Sequence, residues 1–337
     1  MKTRLLGVAL LALAPLTAPL GGCSTNAATG RSVLTLMSRS EEIKIGSDAA
    51  PGFTQEFGGK VAHPGLQQYV ADIGRKMAAE TESYNPTLPW EFTLLDSDVV
   101  NAFALPGGKV FITRGLAKEL TSEAQIAGVI GHEIGHVTAQ HGNQRISSQM
   151  LFNVGLVATA VVVSASDNKT VQDVGAVGVP ALAIGGNLVL LKYGRDEELE
   201  ADALGMRYMT GVGYNPRGQL EVMQTLGRLT GGSGGTPEFL STHPHSSTRV
   251  ERIQKALQDK FASTQGNPNY GTFEDRYKRD FLTPLSKLPP PPKAAGPREN
   301  GTEHAQAAPA AWCGLCAAAE GNATARAMLA SAAMMRR

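Results

Sequence analysis

The chain has 337 residues, room for one large or two ordinary domains, and its 31 Lys and Arg against 30 Asp and Glu leave a net charge of +1. That balance excludes a polybasic nucleic-acid binder and an acidic solvating chain. Hydrophobic residues at 42% suffice for a core, and three cysteines are too few for a disulfide scaffold.

Lys2 and Arg4 open a short positive region, and the apolar stretch Leu5 to Leu20 is interrupted by Pro15 and Pro19. It reads as a signal peptide over 1–22 rather than a membrane span. Leu20-Gly21-Gly22-Cys23 resembles a bacterial lipobox, which puts cleavage before Cys23 and a lipid on it, followed by a polar linker over 23–38. Ser38-Arg39-Ser40-Glu41 is a capping box for a helix to about Phe57, and a second helix is expected over Pro64 to Ser83. Trp90 to Leu95 reads as a strand; Ala102–Leu105 and Val110–Thr113 flank a Pro-Gly-Gly turn. Ser122 then opens a helix expected to reach about Ser147.

Two Gly/Ala/Val-rich runs, 154–163 and 174–186, follow. Each falls short of the roughly 18 apolar residues that a span needs, so they read as a helical hairpin on the body or on the bilayer surface. Asp196 is expected to cap a helix to about Thr210, and Asn215-Pro216 to start another. Gly231–Gly235 reads as a flexible loop, and Thr248 to Glu251 as the cap of a last helix to about Phe261. Residues 284–337 are Pro- and then Ala-rich and read as a disordered tail, leaving 39–283 as the folded domain. Within that tail, Cys313 and Cys316 lack the surroundings of a redox motif and read as a local disulfide or an inert pair.

His132-Glu133-Ile134-Gly135-His136 is an HExxH motif on an expected helix. The spacing of four puts both imidazoles on one face, where their nitrogens can converge on one metal ion, and Glu133 beside it can take a proton from water. Zinc is the natural ion for such donors. The helix around the motif is apolar on several faces, so its polar groups need a partner in the interior. A third ligand must come from elsewhere. The downstream-histidine pattern requires Gly at 139 and His at 142, where this chain has Ala139 and Gly142. His141 therefore reads as a hydrogen-bonding or solvent-facing residue. The other source is the acidic segment Arg195 to Asp202, where Glu198 and Asp202 share a helix face. Glu198 can ligate while Asp202 accepts from a ligand histidine; the plainer reading of that run is a solvated helix face.

Together His132–His136, Glu198-Leu199-Glu200-Ala201-Asp202, Asn101 to Gly108 and Ser241-Thr242-His243-Pro244 resemble the HtpX/BepA/LoiP-like gluzincin metalloproteases, over about 40–260. The resemblance implies an α+β zincin fold, mostly helical with a small antiparallel sheet over the HExxH helix. It implies one Zn2+ per chain on His132, His136 and Glu198, with Glu133 as general base and Arg249 adding charge at the tetrahedral intermediate. It suggests that an extended substrate adds to the edge strand at Asn101, Ala102, Phe103 and Ala104, and that His243 is a removable fourth ligand holding the enzyme latent. The implied activity is a zinc endopeptidase acting on misfolded or stalled envelope proteins. Its place is the periplasmic side of the outer membrane of a Gram-negative bacterium, lipid-anchored, with no nucleic-acid partner. Two other readings remain: a chaperone-like lipoprotein that binds extended clients with cleavage latched off, and a membrane-embedded prenyl-protein protease.

Overall fold

The computed structural model describes residues 23–82, 87–164, 193–230 and 236–292, side chains excepted over 153–164. The signal peptide, the run 174–186, the loop 231–235 and the Cys313/Cys316 pair lie outside the described residues.

The 23–38 segment, expected as a linker, is built into the domain. Strands β1 (Cys23–Thr25) and β2 (Ser32–Leu34) form an antiparallel hairpin with Cys23 opposite Leu34. Asn26 Nδ2 donates to Thr138 O at 2.9 Å, and Leu36 N to Ser147 Oγ at 2.7 Å. Val33 and Met37 are buried. Three-residue strands carry too little alternation to stand out in a sequence.

Helix α1 (Arg39–Glu56) begins on the expected capping box: Ser38 accepts from Glu41 N, and the Glu41 side chain accepts from Ser38 N. Helix α2 (Pro64–Ala79) starts at His63, whose Nδ1 accepts from Leu66 N. Strands β3 (Glu91–Leu95), β4 (Ala102–Leu105) and β5 (Lys109–Thr113) form one sheet in the order β3-β5-β4. The sheet is mixed, not antiparallel as expected: β4 and β5 pair as a hairpin, but β3 runs parallel to β5. The connection over 96–101 carries the chain past β5, so β4 is an edge and β5 the centre. Alternation gives the sheet two buried faces. Val110 and Ile112 face the large core with Ile126, Ile130 and Ile134, while Phe111 and Phe103 pack with Phe53 and Phe57 of α1.

After the short α3 (Arg114–Ala117), α4 (Glu123–Thr138) is buried along its whole length. The single helix expected to Ser147 is two helices. Gln140 has φ 60°, a left-handed backbone that few side chains adopt, and it redirects the chain into α5 (His141–Ser164). Helix α6 (Arg195–Gly211) starts two residues before the expected position: Gly194, not Asp196, is its cap, with Gly194 N donating to Glu197 Oε2. Helices α7 (Arg217–Thr230), α8 (Phe239–Thr242) and α9 (Ser247–Gln258) follow. The chain then closes on α10 (Glu274–Tyr277), one π-helical turn and α11 (Thr283–Ser286). Order continues past 283. Leu285 is buried and Arg114 Nη2 donates to Pro289 O at 2.7 Å, so apolar anchors hold the first part of the proline-rich segment.

Glycines set the distance between α4 and α6. A Cβ on Gly135 would lie 2.8 Å from Ala201 O, and one on Gly205 would lie 2.8 Å from Gly131 C. Backbone therefore meets backbone where any larger side chain would hold the helices apart. The HExxH turn and the acidic turn of α6 face each other at this closest approach.

Candidate metal centre and active site

His132, His136, Glu198 and His243 each offer a ligand atom, and these atoms lie within 4.8 Å of one another. All four are buried. His132 and His136 stand one turn apart on α4, with their Nε2 atoms 3.1 Å from each other. Glu198 Oε2 lies 3.5 Å from His132 Nε2, and Glu198 Oε1 lies 3.4 Å from His136 Nε2. His243 arrives from the opposite side, at the C-terminal end of α8, with Nδ1 3.0 Å from Glu198 Oε1 and 3.3 Å from His132 Nε2.

Supporting contacts hold this cluster. Asp202 Oδ1 lies 2.9 Å from His132 Nδ1, the nitrogen turned away from the cluster. Arg249 is also buried, neither solvated nor facing open space. Its Nε and Nη2 donate to the two oxygens of Asp202 at 2.7 Å each, and its Nη1 reaches Glu198 Oε2 at 2.5 Å and Pro244 O at 3.2 Å. A guanidinium so engaged is a clamp between two carboxylates, where the plainer sequence reading made it a solvated residue of a first helical turn. Gln219 Nε2 completes Asp202 at 2.8 Å.

The electrostatics follow from burial and these pairs. Burial raises the Glu198 carboxyl, but the facing His243 and His132 outweigh it and hold it well below the usual range. Burial likewise raises Asp202, and Arg249 with His132 brings it down to about 2. His132 loses from burial and gains more from Glu198 and Asp202, ending at about 9. Glu133 differs. It is 0% exposed, neither carboxylate oxygen has a hydrogen bond, and burial pushes its carboxyl up. His243 Nε2 lies 3.6 Å from Glu133 Oε1.

Two imidazoles and a carboxylate are the donors that zinc takes in catalytic sites. An ion held by them would satisfy the inward-facing lone pairs, and a water beside it would satisfy the orphaned oxygens of Glu133. The residues fit the group.

Tyr193 and Phe239 close the site, and the sequence reading assigned neither. Tyr193 stacks on His136 with centroids 3.8 Å apart, and the Arg145 guanidinium lies over the Tyr193 ring at 4.1 Å. Phe239 stacks on His243 at 4.5 Å. The cavity left between β4 and His136, lined by Ala104, Pro106 and Tyr193, is about 20 Å³. That is room for about one water and not for a peptide. A larger cleft of about 870 Å³ lies beside α1, lined by Lys60, Lys109 and Phe111, and shares no residue with it. Asn101, Ala102 and Phe103 are buried, with Ala104 half-buried at the cavity wall. His63 and the exposed His245 lie outside the cluster.

The model of peptidase family M48 matches residues 64–257, more than half of the chain and all of the elements that build this centre. The chain belongs to peptidase family M48. This bears out the family resemblance and the fold class read from the motifs. Among relatives, the mitochondrial metalloendopeptidase OMA1 of Arabidopsis thaliana is 31% identical over 50% of this chain. The beta-barrel assembly-enhancing protease of Yersinia pestis is 28% identical over 66% of it. The OMA1 protein of Schizosaccharomyces pombe is 26% identical over 65%. The matched parts are 32%, 48% and 61% of those relatives' own lengths, so this chain spans only part of each. Among the described residues, no helix is long and apolar enough to cross a membrane.

Proposed function

We propose that this M48 chain is a zinc-dependent endopeptidase, held in a latent state by His243. The observation that carries the reading is the buried convergence of His132, His136 and Glu198 beside a carboxylate, Glu133, that has no hydrogen bond. When bound there, zinc supplies a Lewis acid and a water acidic enough to act as a nucleophile near neutral pH.

The chain's own residues do the rest. Glu133 holds the proton lost by the attacking water and returns it to the leaving nitrogen; burial favours its protonated form and so suits it to that shuttle. Asp202 and Arg249 position His132 and Glu198. The edge strand β4 offers unpaired backbone to an extended peptide, which seats a scissile bond beside His136 once Tyr193 moves away. His243 occupies the side of the cluster where water and substrate must come, which makes it the latch. Relatives named for β-barrel assembly and the lipobox at Cys23 support misfolded or stalled envelope proteins as substrates, at the periplasmic face of the outer membrane.

The test is cleavage of an unfolded protein by the purified chain, by Glu133→Gln and by His243→Ala. Expected is a loss of about 100-fold or more for Glu133→Gln and a gain for His243→Ala. A Glu133→Gln variant that equals wild type in every assay refutes proteolysis and favours the client-holding reading.

A further inference from the structure

His141 is the first residue of α5, and the left-handed turn at Gln140 folds its ring back onto the last turn of α4. It is buried, with Nδ1 2.8 Å from His136 Nδ1 and Nε2 3.0 Å from Glu200 Oε2. Glu200 sits two residues beyond Glu198 on α6, so the helix turns it away from the metal cluster and toward His141. On its outer side Glu200 Oε1 meets Arg31 Nη1 of the N-terminal hairpin at 3.3 Å.

Proton counting orders this chain of contacts. Glu200 meets a guanidinium, Arg31, on one oxygen and His141 on the other, and a carboxylate paired in this way only accepts. His141 Nε2 must then carry a hydrogen. In a neutral ring, His141 Nδ1 is bare and accepts from His136 Nδ1–H. His136 Nε2 is in turn bare, and it is the atom that faces Glu198 and His132.

We propose that His141 and Glu200 are positioning residues: their relay locks His136 in the tautomer, and at the ring angle, that presents a free Nε2 to the metal. The proposal rests on the metal reading above. It gives each ligand histidine its own outer partner, Asp202 for His132 and the His141–Glu200 pair for His136. Asp202 shares a helix face with Glu198, which a sequence shows; the relay spans a chain reversal, which it does not.

The experiment uses the full purified chain. Zinc affinity is measured by competition with a chromogenic chelator for wild type, His141→Ala, His141→Gln and Glu200→Gln. Ring tautomers are read from 15N shifts in the metal-free wild type. Expected is a fall in zinc affinity of about 10- to 100-fold for His141→Ala. His141→Gln keeps one acceptor and one donor and should recover most of it, and Glu200→Gln should fall between. The shifts should show hydrogen on Nδ1 of His136 and on Nε2 of His141. Wild-type zinc affinity in folded His141→Ala, or hydrogen on Nε2 of His136, overturns the relay. A wild type that binds no zinc overturns only the metal reading, because the tautomers still decide the relay. Should His141→Ala not fold, Glu200→Gln and the wild-type tautomers decide it.

Discussion

The metal cluster has two sides, and they are built differently. His132, His136 and Glu198 come from two long helices pressed together at Gly131, Gly135 and Gly205, where backbone touches backbone. His243 comes from the end of a four-residue helix, just before Pro244, stacked on Phe239 and Tyr193. The first side can change only if a packed core moves. The second can leave when a few aromatic contacts and the bond from Tyr193 N to Thr242 O at 2.9 Å are broken. Ligands placed on rigid elements are suited to stay, and a ligand on a short segment is suited to exchange.

The sharpest way to break this contrast is Glu198→Ala. It should cost more zinc affinity than the roughly 100-fold that supporting residues are worth, read as metal per chain after dialysis. Zinc retained in full would move the third ligand to His243. Gly135→Val comes next. Its side chain meets the Ala201 carbonyl and should destabilise the fold by about 3 kcal/mol, with zinc lost alongside, as measured by denaturant midpoint and metal content. On the movable side, His243→Ala should leave zinc content near one. Cleavage should rise about ten-fold if the open state is about a tenth populated in wild type. An unchanged rate under all conditions would remove the latch. The smallest effect is far from the site: Ser38→Ala should cost about 1 kcal/mol of stability. Hydrogen bonds from Ser38 hold the Glu41 carboxyl below its ordinary value. That contribution is therefore complete above the ordinary glutamate pKa and fades as pH falls through the lowered one.

Much of the rigid side is legible in one dimension. The four-residue spacing of His132 and His136 and the same spacing of Glu198 and Asp202 state which side chains share a face. The small residues between them permit close helices, although nothing in the spacing says that these two helices are partners. Arg249 is harder. An arginine in the first turn of a helix looks solvated, and only the fold shows its guanidinium bridging Asp202 and Glu198. Tyr193 leaves no periodic trace because it acts from outside a helix. The break at Gln140 is invisible because the residue is neither Gly nor Pro, and its left-handed backbone is imposed by what packs around it. Composition marks 23–38 as a polar linker and 284–337 as a disordered tail, but a few buried side chains, Val33, Met37 and Leu285 among them, dock the N-terminal hairpin and the start of the tail.

The clamp formed by Arg249 has a consequence for charge neutrality. Around the cluster, Glu133, Glu198 and Asp202 are buried carboxylates, and Arg249 is the one buried guanidinium among them. Metal ligation would require neutral histidines, and a proton-accepting Glu133 an ionised carboxylate; in that state, unlike the metal-free one with His132 charged, two negative charges remain in a medium where they repel strongly. A single divalent cation cancels them, whereas a monovalent ion leaves one uncompensated. A bound divalent ion would thereby complete the interior as much as it would serve the proposed reaction. On the proposed metal reading, folding and metal uptake are linked equilibria, and the free concentration of metal should be read directly in the stability of the fold.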